Sequence, residues 1–172
     1  MPPHSVSAAI AWSMMTSVSA WLPRDYQYPQ VLSLRPDGRI SQKPLLELAQ
    51  LRRAYIENSD FVLNNSSQRF DQVQSDLLEI KVEFNPEAAS EFRLTVRCSK
   101  DPSRFVRIAC DGEHLEVKGD KTPEKLMQGE KTLRLQVFLG RDYMEILSNA
   151  WIVYTESMSV PLADLGIESF SE

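Results

Sequence analysis

From residue 77 onward the chain alternates apolar and polar side chains in short runs, and this period restricts its fold more than any other feature. LLEIKVEF, FRLTVRC, RFVRIAC, HLEVKG, TLRLQVFL, YMEIL and WIVYTES are each five to eight residues long and rich in β-branched and aromatic types. Successive side chains on a strand point to opposite faces, so each run offers one face to a core and the other to water. Asn85-Pro86, Asp101-Pro102, Asp111-Gly112 and Gly140-Arg141-Asp142 separate the runs. Proline fixes φ, glycine permits positive φ, and aspartate bonds back to its own backbone, so each of these is turn chemistry. The spacing predicts an all-β, antiparallel β-sandwich of two packed sheets, closed by a strand in the terminal LGIESFSE. The polar segment 119–131 reads as a long loop.

The earlier part follows a different pattern. QVLSLRPDGRISQ, residues 30–42, reads as a hairpin turning at Asp37-Gly38. PLLELAQLRRAY then spaces Leu45, Leu48, Leu51 and Arg52 as a helix would, after a proline that a first turn tolerates. Residues 1–29 hold Trp12, Trp21, Tyr26 and Tyr28 with four prolines and little periodicity. They read as a piece whose packing partner lies elsewhere.

A chain of 172 residues suffices for one domain with an appendage. Its net charge of -5 argues against a phosphate-binding surface, so no nucleic acid partner is expected. No apolar run approaches the roughly 20 residues a spanning helix needs, and no membrane role is expected. The opening MPPHSVSAAIAWSMMTSVSAW has no Lys or Arg before its apolar run and fits a secretory leader poorly, which leaves localisation open. Asn64-Asn65-Ser66-Ser67 contains two overlapping glycosylation acceptors that matter only in a secreted chain. A turn at residues 100–103 would set Cys98 opposite the region of Phe105 and Cys110 opposite Arg93, too far apart for a disulfide, so two free buried thiols are expected. His4 and His114 have no cysteine neighbours and form no recognisable metal site; no phosphate-cradling glycine loop suggests a cofactor.

Three stretches carry a resemblance. SLRPDGRISQKPLLELAQLR, LRLQVFLGRDYMEILSN and PLADLGIESFSE together resemble the C-terminal region of glycoside hydrolase family 32, the invertases, inulinases and levanases that cleave β-fructosides. The resemblance covers about residues 30–172. Where family members usually have Asp-Arg-Ser this chain has Gly140-Arg141-Asp142, and where they often have Asn-x-Gly it has Asn149-Ala150-Trp151. The resemblance implies a two-part enzyme, a catalytic five-bladed β-propeller followed by a lectin-like sandwich, of which this chain is chiefly the second part. The divisions expected are 1–43 as the residual end of a propeller blade, 44–58 as a linker with a short helix, and 59–172 as the sandwich.

Retaining glycosidases need a nucleophilic carboxylate and an acid/base carboxyl about 5–5.5 Å apart. The family's Asn-Asp-Pro-Asn-Gly, Arg-Asp-Pro and Glu-Cys motifs do not occur here; Lys100-Asp101-Pro102 is the nearest approach, and it reads as a turn. No catalytic, cofactor or metal residue is therefore assigned. Arg141, Glu145 and Asn149 are expected in structural roles at the family-motif hairpin, with Glu145 solvated or paired to Arg141. Trp12, Trp21, Tyr26 and Tyr28 are the candidates for stacking on sugar rings, while Trp151 reads as core. The function expected is a non-catalytic β-sandwich module that stabilises or oligomerises a catalytic propeller, its partner being that propeller or a second copy. Two alternatives remain: a stand-alone carbohydrate-binding module for fructan- or sucrose-type sugars, and a truncated or degenerate relative acting only in assembly.

Overall fold

The computed structural model describes residues 6–15, 28–63, 65–84, 91–101, 103–122, 132–149, 152–158, 161 and 163–171; for 6–15 and for parts of 55–62 and 152–153 the description is of the backbone alone. Two six-stranded antiparallel sheets pack face to face. The first has the order β13-β12-β11-β6-β1-β4, from Ile152–Ser157, Tyr143–Ser148, Leu133–Leu139, Leu78–Phe84, Val6–Met15 and Arg52–Leu63. The second has the order β10-β9-β8-β7-β14-β5, from Asp120–Lys121, Leu115–Val117, Val106–Cys110, Phe92–Cys98, Gly166–Ser171 and Ser66–Arg69. A separate two-stranded ribbon, β2 (Gln30–Leu34) with β3 (Ile40–Pro44), leads into a 3-10 helix at Leu46–Leu51.

The alternation that predicts the strands also builds the core. Leu78, Ile80, Val82 and Phe84 of β6 face Phe92, Leu94 and Val96 of β7 and Val106, Ile108 and Cys110 of β8 in one buried cluster. Phe84 and Phe92 stack at 4.3 Å between ring centres. All seven runs noted after residue 77 form strands, as do the ribbon at Asp37-Gly38 and the closing segment. Gly38 takes φ +81° at that turn.

Three elements differ from expectation. The segment 119–131, expected as a loop, begins with β10, where Asp120 and Lys121 pair back on Val117 and Glu116 of β9; its residues 123–131 lie outside the described residues. Val6–Met15, expected to belong with a segment preceding the sandwich, is hydrogen-bonded between β6 and β4 as a strand of the first sheet. The helix is a single 3-10 segment, and the chain turns into β4 at Arg52, where pairing with β1 outweighs the weak strand preference of Glu57, Asn58, Ser59 and Asp60. The β7/β8 register places Cys110 opposite Phe92, one residue from the expected Arg93, while Cys98 lies past the ladder, opposite Gly166 of β14. Both thiols are free and buried.

Gly166 permits that last approach. A Cβ there would lie 2.9 Å from Cys98 Cβ and from its carbonyl oxygen, and 3.0 Å from Arg69 Nη2. Gly166→Ala is expected to cost about 1–3 kcal/mol in urea denaturation through overpacking of a rigid pair of strands; a loss below about 0.5 kcal/mol would show that the strands part freely.

Candidate functional site: the covered face of the first sheet

The outer face of a sandwich sheet is normally wet, and on β6, β11 and β12 it carries polar residues at the alternate positions: Glu79, Lys81 and Glu83, then Arg134 and Gln136, then Glu145. Part of this face is nevertheless buried. The segment 28–52 lies across it, so that Leu77, Phe138 and Leu147 form a second apolar cluster capped by Tyr28 and Leu51. The Tyr28 ring packs 4.6 Å from Phe138 and 5.7 Å from Tyr143, and the two tyrosine hydroxyls are hydrogen-bonded to each other. Burial raises the Tyr28 hydroxyl pKa well above its usual 10.

Two carboxylates lie beneath this cover. Phe138 pairs with Glu79 on one side and Glu145 on the other, so the three form a row across β6, β11 and β12. Glu145 is 0% exposed, and its oxygens accept the Tyr28 backbone N–H at 3.1 Å and the Gln30 side-chain amide. Burial drives its pKa above the usual 4.5, and the two donors only partly oppose that rise. Glu79 is also buried. Burial acts to raise its pKa as well, but the Arg52 hydrogen bonds, the Lys81 charge and the Gln136 amide outweigh it and hold the carboxyl below 4.5. Arg52 reaches Glu79 bidentately at 2.5 and 2.8 Å, and Gln136 donates at 2.7 Å.

This corrects the expectation for Glu145, which is neither solvated nor paired with Arg141. Arg141 instead reaches Asp76 at 2.6 Å, at the entry to β6. Asn149, at φ +50°, follows β12 at the open end of the β11/β12 ladder: its N–H donates to the Arg134 carbonyl, and its Oδ1 accepts the Arg134 N–H at 2.8 Å. Short polar side chains tolerate that left-handed conformation. Asp101 accepts from the Ser99 hydroxyl and from both the hydroxyl and N–H of Ser103, which is turn chemistry and pulls its carboxyl down to about 2. Of the stacking candidates, Tyr28 is committed to protein partners; Trp12 lies on β1, where only backbone is described, and Trp21 and Tyr26 fall outside the described residues, as does Trp151.

Beside the covered row, between the ribbon and the sheet, runs a cleft of about 1120 Å³. Its polar lining includes Gln42, Lys43, Glu83, Arg134, Gln136 and Asn149. Neither Glu79 nor Glu145 reaches it. Paired carboxylates with divergent pKa values are the usual mark of an acid/base site, but here Phe138 separates them and Tyr28 covers one of them. Two strand spacings, roughly 9–10 Å, separate their backbones. Among the described residues the pair acts as two anchors: Glu145 binds the start of the ribbon segment and Glu79 binds its end at Arg52. Nothing in LLEIKVEF distinguished Glu79 from Glu83; the burial comes from a segment more than 25 residues away.

No protein-family model matches the chain, and no curated protein matches it in sequence. Solved structures do. An exo-inulinase from Aspergillus awamori superposes over 83% of this chain at TM-score 0.60 and 12% identity, and a sucrose-6-phosphate hydrolase from Lactobacillus gasseri over 95% at 0.58 and 16%. The fold is thus the β-sandwich that the resemblance implied, shared with parts of those two solved structures. The chain spans only 31% and 38% of the lengths of those two proteins.

Proposed function

We propose that the chain is a non-catalytic β-sandwich module of the β-fructosidase type, which stabilises or oligomerises a catalytic propeller. The supporting observation is the likeness to about a third of each of two glycoside hydrolases, in a chain whose two buried carboxylates, separated by Phe138, are enclosed and used as anchors. A glycosidase needs its carboxyls free on either side of a bound sugar. Here Glu79 is held by Arg52 and Gln136, and Glu145 by Tyr28 and Gln30. The propeller partner would be stabilised by burial of apolar surface and would keep its own chemistry.

The purified chain is expected to release no fructose from sucrose, inulin or levan, and to raise the melting temperature of a β-fructosidase propeller supplied without its own sandwich. Fructose release that Glu145→Gln abolishes would overturn the reading. A second reading, carbohydrate binding by the module itself, is favoured by the cleft. It predicts fructan binding in the millimolar range or tighter, about -4 kcal/mol or better, weakened in calorimetric titration by Gln136→Ala; heat no different from buffer would remove it.

A further inference from the structure

The ribbon's two edges are unlike. β3 ends in Lys43 and Pro44, a cation and a residue without an N–H, both of which discourage strand addition. β2, QVLSL, contains no charge and no proline. It is nevertheless exposed: Val31 is 48%, Leu32 63% and Leu34 77% accessible, and Ile40 across the ribbon is 56%. No described strand other than β3 pairs with it. An isolated two-stranded hairpin is marginally stable in water, and an uncovered apolar edge strand is a template for a further strand.

The hydrogen-bond phase shows which groups are available. Arg35 N–H donates to Arg39 carbonyl and Leu45 N–H to Pro29 carbonyl, so the odd-numbered residues of β2 point toward β3. By the alternation of an antiparallel ladder, the N–H and C=O groups of Gln30, Leu32 and Leu34 point away from it. We propose that β2 is a homodimer edge, pairing antiparallel with the β2 of a second copy about a two-fold axis through Leu32, to make one four-stranded sheet from two ribbons.

In that register Leu32 lies opposite its own counterpart, and Gln30 opposite Leu34. Every outward group of the strand then has a partner, because opposed hydrogen-bonded residues exchange two bonds. A second copy is self-complementary here because a two-fold contact uses the same patch twice, and an uncharged strand sets no like charges against each other. Leu32 and Leu34 lie on one face of the strand and Val31 on the other, so the joined sheet sets exposed Leu32 against its own copy at the axis and exposed Val31 beside Ser33 across it. The proposal gives a surface to the oligomerising arm of the function above and rests on that arm alone.

Light scattering coupled to size exclusion on the full chain is expected to show a concentration-dependent dimer, with Kd on the order of 1–100 µM. Leu32→Lys should weaken it at least about tenfold by placing two ammonium groups across the axis. Leu32→Pro, which removes an N–H the ribbon itself does not use, should do the same while leaving the far-ultraviolet circular dichroism spectrum unchanged. Phe105→Lys, which removes an apolar residue of similar exposure just before β8, should leave the dimer intact. A monomer throughout the range would assign the ribbon to a different domain and overturn the proposal, as would a dimer that survives both Leu32 variants or is lost in Phe105→Lys. Failure to hydrolyse fructans or to stabilise a propeller would bear on the proposed function and leave this result unchanged.

Discussion

Glu145→Ala is expected to lower the stability of the module by about 2–4 kcal/mol, because it leaves two buried donors without an acceptor and opens space under Tyr28. The donors are the Tyr28 backbone N–H and the Gln30 amide, the first contacts of the ribbon segment with the sheet. Hydrogen exchange should locate the damage in 28–45 before the core strands respond, since Leu78, Ile80 and Val137 belong to a separate cluster. The pH dependence distinguishes an anchor from a solvated acid. The folded-state pKa of Glu145 lies above 4.5, so the folded protein holds this proton more tightly than the unfolded chain does. Its contribution is greatest below 4.5 and is lost as pH rises through the folded value. Glu79 has the opposite sign: its folded value lies below 4.5, so its contribution is present above 4.5 and is lost as pH falls through the folded value. Glu145→Gln should therefore remove a stability loss on the alkaline side of 4.5, and Glu79→Gln one on the acid side. Urea midpoints measured from pH 3 to 8 that change equally in both variants would contradict this assignment.

The strands after residue 77 were legible because their own side chains specify them: Leu-x-Ile-x-Val-x-Phe in β6 can bury one face in only one pleat. β1 and β4 were not. In VSAAIAWSMM the parity of Val6, Ile10, Trp12 and Met14 against Ser7 and Ser13 is blurred by three alanines, and RRAYIENSDFVL breaks its period at Tyr55-Ile56, so their pairing depends on each other and on β6 more than on local pattern. β5, Ser66–Arg69, is wholly polar and is a strand only because β14 lies beside it. The same reasoning accounts for Glu145. Alternation correctly placed it on the outer face, but solvation of that face depends on what covers it, and the covering residue Tyr28 is 117 positions away. The turn at Gly140-Arg141-Asp142 was legible because a turn is a local object, whereas the Asp76 partner of Arg141 was not.

Arg97 carries the largest single effect expected outside the aliphatic core. Its side chain is buried, and Nη2 donates to the Asp76 carbonyl and, at 2.7 Å, to the Gly140 carbonyl, tying the entry of β6 to the β11/β12 turn beneath the end of β7. Burial lowers its pKa from the usual guanidinium value, and the nearby Asp76 charge opposes that shift; a guanidinium nonetheless stays protonated at any working pH. Each carbonyl left without a donor costs about 1–3 kcal/mol, so Arg97→Ala is expected to lose about 3–5 kcal/mol with the cavity included. The backbone allows a second discrimination. Arg97 sits at φ +56°, a conformation that costs a non-glycine residue about 1–2 kcal/mol. Arg97→Gly should therefore be the less damaging of the two by about 1 kcal/mol, despite removing more side chain. Arg97→Lys, which keeps a charge but not the fork, should fall between wild type and Arg97→Ala. A loss below about 1 kcal/mol for Arg97→Ala in equilibrium unfolding, or an alanine variant more stable than the glycine one, would show that the two carbonyls find water and that the strand end is not held by this side chain.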